Sequence, residues 1–198
     1  FFKKNNLELA LKGGDRDYFA SLNKLPKAKI IYLHAREIIE RLGDGTLDIG
    51  ISGLDLLSES AINLKKRIEV TRKLDFGKAN LVVAIPNDWI DVQTIADLEE
   101  IAFEFRDKKK KRLRVATKYP NLTRDFLFSK GVTQFKLVDS LGATEAYPFT
   151  GSAELITDIT STGETLRANN LRILKDGEIL KSQACIFTSK INKNKKGK

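Results

Sequence analysis

The sequence predicts an α/β protein folded as two lobes, and three observations carry that reading. Short apolar runs of strand type alternate with stretches whose apolar residues recur at helical spacing, the pattern of sheets flanked by helices. About nine strands in 198 residues suit two small sheets better than one. No repeat, low-complexity block or Pro/Gly/Ser-rich linker separates two independent domains, so strands should cross between the lobes. The expected division places residues 1–84 and 184–198 in the first lobe and 85–183 in the second. The crossing strands would be 81–85 and 184–187.

Residues 29–33 (KIIYL) read as a short buried strand. Ala35, Ile38, Ile39 and Leu42 then share one helical face, stopped by Gly43 and Gly45. Residues 47–52 (LDIGIS) form the next strand and 53–60 a short helix. Runs 68–74 and 81–85 are strands, the second closed by Pro86. A helix over 94–105 takes its N-cap from Thr94 or the Asp91 region, with Asp97 at or near N3. After a strand at 113–117, a helix over 120–130 has Pro120 in its first turn and Gly131 just past its end. Strands at 134–138, 155–159, 171–174 and 184–187 complete a pattern that favours largely parallel sheets.

Composition excludes several classes. An apolar fraction of 41% with 31% charged residues is ordinary for a globular chain. Cys185 is the single cysteine and His34 the single histidine, which excludes a disulfide framework and a Cys/His zinc site. The longest apolar run, 81–85, is too short to span a bilayer, and a reducing cytoplasm suits the single cysteine. Because it starts at Phe1 and contains no Met, the chain reads as N-terminally incomplete. The net charge of +9 sits in Lys108, Lys109, Lys110, Lys111, Arg112 and Arg114, and in Lys190, Lys193, Lys195, Lys196 and Lys198 of the tail. No aromatic residue interleaves either cluster, so both read as solvated charge, with no nucleic-acid partner.

Chemistry concentrates between Glu145 and Leu171. A β-branched strand ends at Asp158, and Thr160, Ser161, Thr162, Gly163, Glu164, Thr165 and Leu166 follow. A carboxylate at a strand's C-terminal end faces the crevice where α/β proteins bind ligands. The hydroxyls suit phosphate oxygens, and Gly163 lets successive amides turn toward one anion ahead of a helix start. Taken alone, a T-S-T-G run is more often a polar turn than a phosphate site, and its strand–Asp–loop–helix setting brings the two readings level.

These motifs resemble the ATP phosphoribosyltransferase family that opens histidine biosynthesis. The likeness covers nearly the whole chain: residues 45–55 (GTLDIGISGLD), 74–86 (LDFGKANLVVAIP), 115–122 (VATKYPNL) and 145–166. It implies lobes like type II periplasmic-binding-protein domains, with the active-site cleft between them. The implied reaction joins N1 of ATP to the anomeric carbon of phosphoribosyl pyrophosphate, and pyrophosphate leaves with Mg²⁺. By the same resemblance, Asp158 holds the ribose hydroxyls, Ser161, Thr162, Gly163 and Thr165 hold the 5′-phosphate, and Glu145 lies across the cleft. Lys118 and Tyr119 would serve ATP, Tyr119 through its flat face, with Gly53, Asp55 and Arg16 as further candidates.

The wording SLGATE and DITSTG is similar to the family's short form, which implies a partner: a regulatory subunit like histidyl-tRNA synthetase. Three departures stand out. The family's first strand and its basic turn are absent; residues 32–37 (YLHARE) stand where many members have an Arg- and Asp-bearing stretch, Glu37 replacing the acid but His34 a poor substitute for Arg; and Glu164 puts an acid inside the loop. The competing expectation is a bilobal small-ligand binding module without catalysis, which shares the phrase at 45–51.

Overall fold

The computed structural model describes residues 8–11 and 18–192, and their strands form three sheets. β1 (Leu9–Leu11), β2 (Phe19–Leu22) and β3 (Leu25–Ile31) make an antiparallel meander, of which the sequence predicted only the last strand. Helix α1 (Ala35–Asp44) follows. His34 caps it by accepting from the Arg36 amide, and Gly45 ends it at φ 83°, a conformation that glycine adopts without steric cost. Next come β4 (Ile49–Gly53), α2 (Leu54–Glu59), α3 (Ile62–Arg67) and β5 (Ile68–Lys73). The chain's last described strand, β11 (Ala184–Ser189), returns to lie between β4 and β5, antiparallel to both. Ile39, Leu42, Leu57, Ile68, Cys185 and Phe187 form the core of this unit. Cys185 is fully buried there, and burial pushes its thiol up.

The larger sheet is built from β6 (Ala79–Pro86), β7 (Leu113–Thr117), β8 (Phe135–Asp139), β9 (Leu155–Thr160) and β10 (Leu171–Ser182). Its order is β10-β6-β9-β7-β8. Helices α4 (Ile95–Lys109), α5 (Pro120–Ser129) and α6 (Glu164–Ala168) join these strands. Alternate residues of β6 serve two cores: Val83 and Ile85 pack with Ile95 and Leu98 of α4, while Val82 and Ala84 pack with Leu166 of α6. The capping box of Thr94 and Asp97 is present, and the Gln93 and Thr94 amides hold the Asp97 carboxyl below its ordinary range.

Two expectations need correction. The sheets are not largely parallel: only β7–β8 and β7–β9 are, because β6, β10 and β11 run against their neighbours. Strand β6 pairs from Ala79 onward within the five-stranded sheet, so the crossing does not fall at residue 84. The two connections between the sheets instead lie side by side. Leu74 donates to the Ala184 carbonyl at 2.8 Å, Ala184 to Phe76 at 3.1 Å, and the Gln183 amide side chain to Leu74 at 2.7 Å.

Strand β10 is far longer than the predicted 171–174 because its K-D-G-E stretch is an irregularity inside the strand rather than a turn. A Cβ at Gly177 would stand 3.1 Å from the Val83 carbonyl, a tight contact that would push β10 and β6 apart by a few tenths of an ångström. Among the described residues, no helix is long and apolar enough to cross a membrane.

Candidate functional site

Three strand ends deliver charge to one end of the five-stranded sheet. Asp158 lies near the end of β9, Lys118 directly follows β7, and Glu145 sits in a short 3₁₀ turn (Thr144–Ala146) after β8. Burial pushes the half-buried Asp158 carboxyl above its ordinary range. The Ile159 amide, donating at 2.8 Å, and the Lys118 charge pull it down, while the Glu145 charge pushes it up. Lys118 and Glu145 thus share one electrostatic environment with Asp158.

The loop after β9 is organised by its own hydroxyls. Thr160 Oγ1 accepts from the Gly163 amide at 2.9 Å, and Thr162 Oγ1 accepts from the Glu164 amide at 3.3 Å. Gly163 has φ 74° and precedes α6, so the amides of Thr165 and Leu166 in the first turn have no intrahelical acceptor. Ser161, Thr162, Thr165 and Glu164 are exposed, and Gly163 is buried. Side-chain oxygens fix the turn, leaving first-turn amides and hydroxyls for an anion.

The opposing wall differs from the expectation. Tyr119 is only 6% exposed and its hydroxyl donates to Asp55 Oδ2 at 2.8 Å. Ser182 donates to Asp55 Oδ1 at 2.7 Å and accepts from the Asp55 amide at 3.0 Å. Burial first, and Asp55 second, push the Tyr119 phenol well above its ordinary range. In this conformation burial leaves Tyr119 no open ring face, and both Asp55 oxygens are taken, by Tyr119 and Ser182. Gly53 is required next to them: a Cβ there would lie 2.3 Å from the Asp55 carboxylate. Arg16 lies outside the described residues.

Sequence reasoning missed four participants. Glu59 accepts from the Asn121 and Leu122 amides at 2.9 and 3.0 Å, so α2 caps the first turn of α5 from across the junction. Arg36 of α1 donates to the Lys118 carbonyl at 3.2 Å. Ser182 completes the Asp55 cluster. Thr123 joins Thr117 and Thr157 in a buried hydroxyl cluster, with contacts of 2.6 to 3.2 Å, beneath the Tyr119 amide. One signal was available: Asp55 and Glu59 stand four apart on one face of α2, and both are buried.

Residues 34–198 match the HisG family, described as ATP phosphoribosyltransferase. The chain is 49% identical over 190 residues to the ATP phosphoribosyltransferase of Nitrobacter winogradskyi, covering 96% of this chain and 58% of that one. To that of Mesorhizobium japonicum it is 46% identical over 188 residues, covering 94% and 81%. The chain therefore spans less than two thirds of the Nitrobacter relative. Among solved structures, the ATP phosphoribosyl transferase (HisG:HisZ) complex from Thermotoga maritima superposes with TM-score 0.72 at 23% identity, covering 99% of this chain and 83% of that one. The probable amino-acid transporter extracellular-binding protein ytmK of Bacillus subtilis gives TM-score 0.52 at 12% identity, covering 83% and 67%. Both are likenesses of fold alone.

Proposed function

Because the chain belongs to the ATP phosphoribosyltransferase family, we propose that it carries the catalytic site joining N1 of ATP to the anomeric carbon of phosphoribosyl pyrophosphate, releasing pyrophosphate. The observation that supports this reading best is the loop after Asp158, whose first-turn amides and hydroxyls are left for an anion. The β4–β11–β5 sheet and the five-stranded sheet would be the two lobes, parting at residues 74–79 and at Gln183. Asp158 would accept from the ribose hydroxyls, while Ser161, Thr162, Gly163 and Thr165 hold the 5′-phosphate. Lys118 would offset negative charge on the phosphates, and Glu145 would line the same mouth. Such a reaction needs no protein nucleophile: holding the two substrates in line and matching developing charge supply the rate.

Tyr119 and Asp55 would act on ATP only if their mutual hydrogen bond opens. Mg²⁺ would enter with the pyrophosphate. Among the described residues no three His, Cys, Asp or Glu side chains gather as a metal cage, so the substrate's own oxygens would supply most ligands. The Thermotoga maritima relative was solved as a HisG:HisZ complex. A separate synthetase-like regulatory subunit is the corresponding partner proposed here, in the cytoplasm. The test is Asp158→Asn in the full-length enzyme. Losing a charge-assisted partner to two hydroxyls should lower kcat/KM by about 100-fold or more with the fold retained. Near-parental turnover of the folded variant would remove Asp158 from the site.

A further inference from the structure

A second concavity, of about 960 Å³, opens at the opposite end of the five-stranded sheet, where β6 ends, α4 stops, and β7 and β8 begin. Seven cations line it, including Arg106, Lys109, Lys111, Arg112 and Lys136, against two carboxylates, Asp88 and Glu154. Glu154 is already engaged, accepting from the Arg114 amide at 2.7 Å and its guanidinium at 2.6 Å. Among the described residues no ion pair holds Arg106, Lys111, Arg112 or Lys136. Trp89, Phe105 and Phe149 line the same space. The linear sequence shows no aromatic residue among the basic ones, but folding brings these three in from separate segments. Lys109 lies over the Phe105 ring, 3.7 Å from its centre.

Cations at the end of a helix commonly do no more than offset its dipole. That accounts for Lys108 and Lys109. It does not account for Arg112 beyond the helix, or for Lys136 arriving from β8 on the same space. Lys110 also ends α4 at φ 53°, where glycine would be free of strain.

We propose that this concavity is a second ligand site, for a phosphorylated small molecule carrying a flat ring, of the nucleoside diphosphate or triphosphate class. Its volume is that of a small-molecule site. Converging guanidinium and ammonium groups match phosphate oxygens, and the aromatic faces match a base. Glu154 and Asp158 stand four residues apart along β9, about 13 Å, so this site and the loop beyond Asp158 lie at opposite ends of the sheet. It goes beyond the proposed reaction and does not rest on it.

Trp89 is the chain's only tryptophan, so its fluorescence reads the site directly. The whole chain is titrated with ADP, and separately with tripolyphosphate. A saturable change with ADP is expected in the parent and equally in Asp158→Asn. Binding should weaken at least about tenfold in Lys111→Glu/Arg112→Glu, and less in Lys111→Gln/Lys136→Gln, which removes two charges without reversing them, with melting curves unchanged. No saturable change, or an unchanged titration in the charge-reversed variant, would overturn the site. Loss of the signal in Asp158→Asn would move the binding to the β9 loop. Tripolyphosphate binding as tightly as ADP would overturn the ring, and an RNA oligonucleotide binding more tightly than ADP would overturn the small-molecule class.

Discussion

The two walls at the junction of the sheets treat their polar groups in opposite ways. On the α2 and α5 wall every buried acid is satisfied: Asp55 by Tyr119 and Ser182, Glu59 by two amides of α5. On the β9 wall the half-buried Asp158 takes one hydrogen bond from its neighbour's amide, and the first-turn amides of α6 await an acceptor. Satisfied buried groups hold a fold together, whereas groups left short of partners cost stability and persist where a ligand completes them. The first wall is therefore read as structural, and the second carries the site proposed above.

The largest expected effect comes from breaking the satisfied wall. Asp55→Ala leaves the Tyr119 and Ser182 hydroxyls buried without their acceptor. Each such group costs about 1–3 kcal/mol, so the two together should lower the Tm in thermal melting by about 4–24 °C. A fall of only a degree or two would mean that the contact is dispensable and that Asp55 is free to serve a ligand. Glu59→Gln should cost less. It keeps one of the two accepting oxygens, so one α5 amide loses its partner, and it loses the charge at the helix's positive end, together worth about 1–2 kcal/mol or a Tm lower by about 2–8 °C. No change would mean that solvent caps α5 equally well.

How much of this was legible in the sequence depended on chain separation. The β9 loop was readable because its strand, acid, hydroxyls and glycine are contiguous, and local hydrogen bonds such as Thr160 to Gly163 settle its shape. The Asp55–Tyr119 bond spans 64 positions, and the Asp55–Ser182 bond 127. No periodicity announces such partners, so the resemblance offers the flat face of Tyr119 to ATP without showing its bond to Asp55, and Ser182 carries no signal. The strand–helix alternation gave most elements within a few residues. Strand direction was not legible, since an apolar run has the same pattern whether its neighbour runs with it or against it. The same limit hid Trp89 and Phe149 from the Lys108–Arg112 cluster.

Gly163→Ala probes the β9 wall through its backbone. At φ 74° an alanine is strained by about 1 kcal/mol, and its Cβ would stand 3.0 Å from the Arg167 guanidinium. The expected result is a Tm lower by about 2–4 °C together with a raised KM for phosphoribosyl pyrophosphate, and little change in KM for ATP. An equal rise for both substrates would show a general loosening rather than a phosphate contact.

The smallest effect has the opposite sign, and it separates the two walls most cleanly. The Asp158 carboxyl titrates above its ordinary value of 3.8, chiefly because burial disfavours the charge. A carboxyl raised in this way binds its proton more tightly in the folded chain than in the unfolded one. The stability it contributes is therefore complete below about pH 3.8 and is lost as pH rises through the raised value. At neutral pH the bare carboxylate is a net cost to the fold. Asn keeps an oxygen for the Ile159 amide and carries no charge, so Asp158→Asn should melt about 1–4 °C higher than the parent at pH 7.5. The gap should narrow as pH falls through the raised value toward 3.8, and bound phosphoribosyl pyrophosphate should reverse it by stabilising the parent alone. Melting curves across that range, with and without the substrate, make the measurement. A variant that melts lower than the parent at pH 7.5 without ligand would place Asp158 among the structural acids, beside Asp55 and Glu59.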